Sequence, residues 1–281
     1  MSGSGRYVLG VSSCIFPEPP ISEQEYVLLT RHQIAAVEIG YEHAGPALLD
    51  HSLYDKLVAL VHSARPPVLS VHAPYEPDRD ISLLDEERRL TAVGYAEEAL
   101  ELASRLGAKL VVIHGSQDPI PERERGYRLA QARKSLASLA TKAEALNLRL
   151  ALEMMPPEWL PAGVSEAFDM VQGLDPQVVG FCLDTNHANL TGDLSEIVHA
   201  LGPRIWNVHL SDNDGLKQRH WMPFQGVIDW QAFMKALDEV NYNGPLIYEL
   251  DPHAAGPEQG LQEVKENFDR LLALVPGLKV K

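Results

Sequence analysis

Eight short runs of β-branched or aliphatic residues recur along the whole chain, separated by longer stretches of helical periodicity, and this alternation limits the fold more than any other feature. The runs are YVLGVSS (7–13), IAAVEI (34–39), PVLSVHA (67–73), KLVVIH (109–114), LRLALE (148–153), VVGFCLD (178–184), RIWNVHLS (204–211) and PLIYEL (245–250). Between them, Leu90, Val93, Leu100, Ala103 and Leu106 repeat at helical intervals, and Gly107 is placed to end that helix. Leu129, Leu136, Leu139, Ala143 and Leu146 form a second such stripe, and Leu261, Val264, Phe268, Leu271 and Val275 a third. Strict β/α alternation implies a parallel sheet, and eight units favour closure into a (β/α)₈ TIM barrel of the α/β class.

The length of 281 residues suits one such barrel, and no linker or composition break divides it, so residues 1–281 are expected to form a single domain. The longest apolar runs fall far short of a bilayer span, and the start MSGSGRYVLG lacks the build of a signal peptide, which predicts a cytoplasmic protein without membrane attachment. Cys14 and Cys182 are too few for a disulfide framework. A net charge of −15 disfavours nucleic acid and anionic membranes as partners.

Active sites of these barrels lie at the C-terminal strand ends. From the third strand to the eighth, those ends read His72, His114, Glu153, Asp184, His209 and Glu249. Side chains alternate along a strand, so Ser70, Val112, Ala151, Cys182, Asn207 and Ile247 share their direction, while a bulkier apolar set faces the helices. One ionisable strand end means little. Six in succession would bury enough charge to cost many kcal/mol, unless a shared cation or polar substrate balances it.

Glu153, Asp184, His209 and Glu249 offer three oxygens and one nitrogen, which suits a divalent metal ion such as Mn²⁺ or Zn²⁺, with Co²⁺ or Mg²⁺ as alternatives. His187 and His220 are expected above this set, holding either a second cation or a substrate hydroxyl. Glu38, ending the second strand, is expected to line the pocket. His32, His43, His51, His62, His199 and His253 read as surface residues.

Taken in order, SVHAPY, VVIHGS, LALEMMP, GFCLDTNHANL, WNVHLSDNDG, QRHWMPFQGVIDW and PLIYELD resemble the xylose-isomerase-like barrel superfamily over nearly the whole chain. That superfamily holds sugar and sugar-phosphate isomerases and epimerases, inosose dehydratases and the endonuclease IV class, also known as AP endonuclease family 2. In the sugar enzymes, the resemblance implies one divalent metal on Glu153, Asp184, His209 and Glu249. It gives Glu153 and Glu249 the proton transfers of carbohydrate metabolism, and gives His187 and Arg219 contacts to substrate oxygens. In endonuclease IV, the residues matching His72, His114, His187 and His220 join a three-zinc cluster. There an aspartate stands where Gln218 stands here, in a Gln218-Arg219-His220 triplet. The expectation is therefore a metal-dependent isomerase or epimerase acting on a sugar or polyol through an enediolate. An abasic-site phosphodiesterase and an inosose-type dehydratase are the alternatives. Dimers are common in the superfamily, so the resemblance is compatible with a homodimer.

Overall fold

The computed structural model describes residues 7–17, 21–41 and 51–275. Its strands are β1 (Val8–Ser12), β2 (Ala36–Gly40), β3 (Val68–His72), β4 (Leu110–Ile113), β5 (Arg149–Glu153), β6 (Val179–Asp184), β7 (Ile205–Leu210) and β8 (Pro245–Tyr248). Each pairs in parallel with its sequence neighbours, and β1 pairs with β8, closing the barrel. Helices α1 (Glu23–Arg31), α2 (His51–Ser63), α3 (Glu86–Leu106), α4 (Glu122–Ala145), α5 (Val164–Met170), α6 (Thr185–Ala188), α7 (Leu194–Leu201), α8 (Trp230–Glu239) and α9 (Pro257–Ala273) connect the strands. Among the described residues, no helix is long and apolar enough to cross a membrane.

Two layers of packing follow from strand alternation. Val71, Val111, Ile113, Leu152, Phe181, Leu183, Val208, Leu210, Leu246 and Tyr248 are buried in the large outer core with the helices. Inside the barrel, Leu110, Val112, Ala151 and Cys182 form a small separate apolar cluster. Ile247 fills the interior beside Gly10, where a Cβ would collide with the Ile247 side chain. Cys182 is interior packing, as its alternation predicts.

Helix α3 ends at Gly107 in the left-handed conformation (φ 76°), which glycine adopts without steric cost. One residue of its expected apolar stripe departs: Leu90 is 55% exposed. Arg89 takes the inward side of that turn instead, donating to Glu86 and to the buried Ser135 hydroxyl.

Candidate active site

The strand ends meet as the alternation requires. His72, Glu153 and Asp184 close their strands, while His114 and Glu249 stand one residue past theirs. Glu249 N–H still donates to the Leu210 carbonyl, so its backbone continues the ladder. Asp184 is also the N-cap of α6: its Oδ1 accepts the His187 N–H at 2.7 Å. One carboxylate therefore ends a strand, starts a helical turn and delivers His187 to the barrel mouth.

Glu153 lies at the centre. Its Oε2 is 3.1 Å from His72 Nε2 and 3.3 Å from His114 Nε2, and its Oε1 is 3.2 Å from His187 Nδ1. His209 Nδ1 lies 3.1 Å from Glu249 Oε2, 3.6 Å from Glu153 Oε2 and 3.9 Å from Asp184 Oδ2. Each of Glu153, Asp184, His209 and Glu249 offers a donor atom within 4.8 Å of the others'. Glu153 Oε1, Asp184 Oδ2 and His209 Nδ1 are buried without a hydrogen-bond partner. Three carboxylates and one imidazole gathered at a common point, three of the four with an orphaned atom, fit a divalent cation, because buried polar atoms are otherwise almost always satisfied. His72, Glu153 and His209 form a second group of this kind.

The electrostatics follow from burial and crowding. Burial pushes the Asp184 carboxyl up to about 6, despite the opposing charge of His187. Burial also opposes ionisation of Glu153 and Glu249, but the neighbouring imidazoles prevail and hold both below the usual carboxylate range, His114 and His209 for Glu153 and His209 for Glu249. His72 rises to about 9 and His187 to about 10, because their carboxylate partners outweigh desolvation. His114 is held below the ordinary imidazole value by burial.

Above this floor opens a cavity of about 320 Å³, walled by His72, Tyr75, His114, Glu153, Trp159, His187, Gln218, His220 and Glu249, together with Cys14, Met155, Leu250 and Asp251. Asp184 and His209 lie beneath it with no exposed surface. His220 is brought to the wall by the long connection after β7, with Nδ1 3.3 Å from the Glu249 carbonyl. His187 and His220 face each other at 6.1 Å between ring centroids.

Two expected positions need correction. Glu38 does not line the cavity: it is fully buried below the floor, where it meets Ser70, Asn207 and His209. Arg219 is absent from the wall because its guanidinium is engaged by Asp214, at 2.8 Å from Nε and 2.6 Å from Nη2. Of the histidines read as surface residues, His62 bonds the Arg105 carbonyl, His199 pairs with Glu239 and His253 with Glu263. His32 Nε2 is buried without a partner, while His43 and the His51 side chain lie outside the described residues.

Sequence reasoning missed several residues that shape the site. Gln117 Oε1 lies 3.1 Å from His114 Nδ1 and so turns the other ring nitrogen, His114 Nε2, toward Glu153; its spacing in HGSQ is the available signal. Asp212 accepts from the backbone N–H groups of Asn213, Phe224, Gly226 and Ile228 and from Trp230 Nε1, so one buried carboxylate folds the loop that carries Gln218 and His220. Tyr75, Trp159 and Asp251 lie on loops whose course no periodicity announces.

Residues 29–271 match the family described as xylose isomerase-like TIM barrel. An uncharacterized protein of Methanocaldococcus jannaschii is 29% identical over 252 residues, spanning 85% of this chain and 82% of its own. An inosose isomerase of Bacillus velezensis is 24% identical over 270 residues, spanning 89% and 92%. Among solved structures, a D-tagatose 3-epimerase-like protein superposes with a TM-score of 0.80 at 25% identity, over 94% of this chain and 98% of its own.

Proposed function

The chain belongs to the xylose isomerase-like TIM-barrel family, and from that premise we propose that it is a divalent-metal-dependent isomerase or epimerase of an unphosphorylated sugar or polyol. The observation that carries this reading is the convergence of Glu153, Asp184, His209 and Glu249 on one point below the cavity. A divalent cation held by these four, Mn²⁺ or Zn²⁺ by the chemistry of the donors, would polarise adjacent carbonyl and hydroxyl oxygens of a sugar and stabilise the enediolate formed between them.

The chain's own residues supply the proton transfers. Glu153 ends β5 and Glu249 follows β8, so their carboxylates reach the cavity from separate sectors of the barrel. Both are held ionised, as a general base requires. One carboxylate takes the proton from the carbon beside the carbonyl and can return that same proton to the neighbouring carbon, the hydroxyl proton passing between the two substrate oxygens; the other can deliver a proton from the far side only after taking one up from a substrate hydroxyl or from solvent. Return to the opposite face of that carbon is epimerisation, and return to the neighbouring carbon is aldose–ketose isomerisation. On this reading His220 meets substrate hydroxyls from the wall, and His187, whose ring nitrogens face Gln218, the Met154 carbonyl and Glu153, would do so by exchanging one of these partners. An inosose-type dehydratase would share the first proton abstraction.

The wall favours a neutral substrate. Neither Lys nor Arg lines the cavity among the described residues. A phosphate ester would meet Asp251 and the two glutamates there, which also counts against a phosphodiester. The relatives named for sugar and inosose substrates agree with this reading.

The test is a ketose panel in D₂O with the metal-reconstituted protein. Deuterium is expected at a carbon adjacent to the carbonyl, and exchange should disappear in Glu153→Gln. Cleavage of an abasic oligonucleotide with no exchange on any ketose would sink the assignment.

A further inference from the structure

Glu38 is a carboxylate with no exposed surface, set inside the barrel one layer below the strand-end crown. Its Oε2 accepts from Ser70 Oγ at 2.6 Å and from Asn207 Nδ2 at 2.9 Å. Its Oε1 is buried without a hydrogen bond of good geometry and lies 2.9 Å from His209 Nε2, close enough to form an ion pair. Glu38 on β2 and His209 on β7 reach each other across the barrel axis, linking strands that share no ladder.

A buried carboxylate is a poor way to stabilise an interior, since apolar residues of similar volume usually do as well or better. Its placement makes sense through the imidazole. His209 Nδ1, the nitrogen turned to Glu153, Asp184 and Glu249, has no hydrogen-bond partner, whereas Nε2 faces Glu38. The Asn207 Nδ2 donor lies 3.2 Å from Nε2 but donates to Glu38 Oε2 at the shorter 2.9 Å, so the carboxylate is the nearer claim on both groups. If Nε2 were unprotonated, its lone pair would oppose a carboxylate oxygen at 2.9 Å in a site without water access, a repulsive arrangement. A proton on Nε2 turns the same contact into an attraction, and Nδ1, facing Glu249 at 3.1 Å, is then the nitrogen that gives its lone pair to a cation.

We propose that Glu38 is the positioning residue for His209: it holds Nε2–H, fixes the ring tautomer and orientation, and so presents Nδ1 to the divalent cation. Ser70 and Asn207 anchor the far oxygen of Glu38 and thereby the whole relay. This rests on the reading that the four-residue cluster binds a metal. Carboxylate partners behind ligating histidines generally strengthen metal binding by about 10- to 100-fold.

The experiment is a Zn²⁺ titration of the purified metal-free protein against a chromogenic chelator, with no substrate present. Glu38→Gln keeps the volume and removes the charge; it is expected to weaken Zn²⁺ binding about tenfold at unchanged stoichiometry. In a His209→Ala background the same change is expected to have no further effect. Ser70→Ala, which leaves the carboxylate in place, should weaken binding in the same direction but less, and it serves if Glu38→Gln fails to fold. Long-range ¹H–¹⁵N spectra of the zinc-loaded protein should show the His209 proton on Nε2. Unchanged affinity in the variants, an equal loss in both backgrounds, or a proton on Nδ1 would overturn the proposal while leaving the metal site standing. A wild-type protein that binds no Zn²⁺ would remove the metal reading, and this inference with it.

Discussion

The side-chain oxygen of Gln218 lies 2.9 Å from His187 Nε2, while the other ring nitrogen of His187 is 3.2 Å from the Met154 carbonyl. Both nitrogens of one buried imidazole thus face acceptors, and Glu153 Oε1 stands a further 3.2 Å from Nδ1. The metal-free protein therefore favours an imidazolium here.

Burial alone would lower the His187 pKa, but Asp184 and Glu153 raise it to about 10 from 6.5; the Glu153 contact likewise raises His72 to about 9 although that ring is buried too. Raised folded-state values give stability that is fully present below about pH 6.5 and lost as pH rises through 9 to 10. The urea midpoint of the chelator-treated protein is expected to fall over that window, with a shallower slope in His187→Asn. A midpoint that climbs between pH 6.5 and 10 would contradict this.

Metal removal should destabilise the protein, because the ion neutralises carboxylates crowded at one point. At a free metal concentration 100 times Kd, the bound ion contributes about 2.7 kcal/mol. A chain of this size should then lose roughly 5–10 °C in Tm with chelator and regain it on reconstitution. Asp184→Asn is expected to abolish the response to metal while leaving the metal-free Tm no lower than wild type, since burial already pushes this carboxyl up to about 6. Differential scanning calorimetry of the four samples decides it.

Asp212→Asn replaces an acceptor of four backbone N–H groups and one indole N–H by a side chain with a single acceptor oxygen. Hydrogen bonds to a charged acceptor are worth about 1.5–3 kcal/mol each, so the variant should lose about 3 kcal/mol in urea unfolding. Hydrogen exchange should accelerate selectively over 213–228. Uniform acceleration across the barrel would indicate a different role.

Selectivity for uncharged substrates should appear as competition. A neutral ketose is expected to inhibit turnover of another ketose at least tenfold more strongly than its phosphate ester, and Asp251→Asn should narrow that ratio. Equal inhibition by the two would refute the electrostatic account of the wall.

Much of this was legible in the residue order. The eight strands, the Gly107 helix stop and the direction of Ser70, Val112, Ala151, Cys182, Asn207 and Ile247 all follow from local backbone geometry, which sets a period of two in strands and 3.6 in helices. The same period places His72, His114, Glu153, Asp184, His209 and Glu249 at one rim. Contacts between distant strands and loops were decided only by closure of the barrel. Closure set Glu38 behind His209 across the axis, although β2 alone leaves its depth open. The loop after β7 took its course from a nest of backbone donors around Asp212, which turned Gln218 to His187 and gave Arg219 to Asp214. Alternation along a strand is a property of the chain's own covalent geometry; which side chains meet across the interior depends on how eight strands stagger around a common axis, and no single strand carries that information.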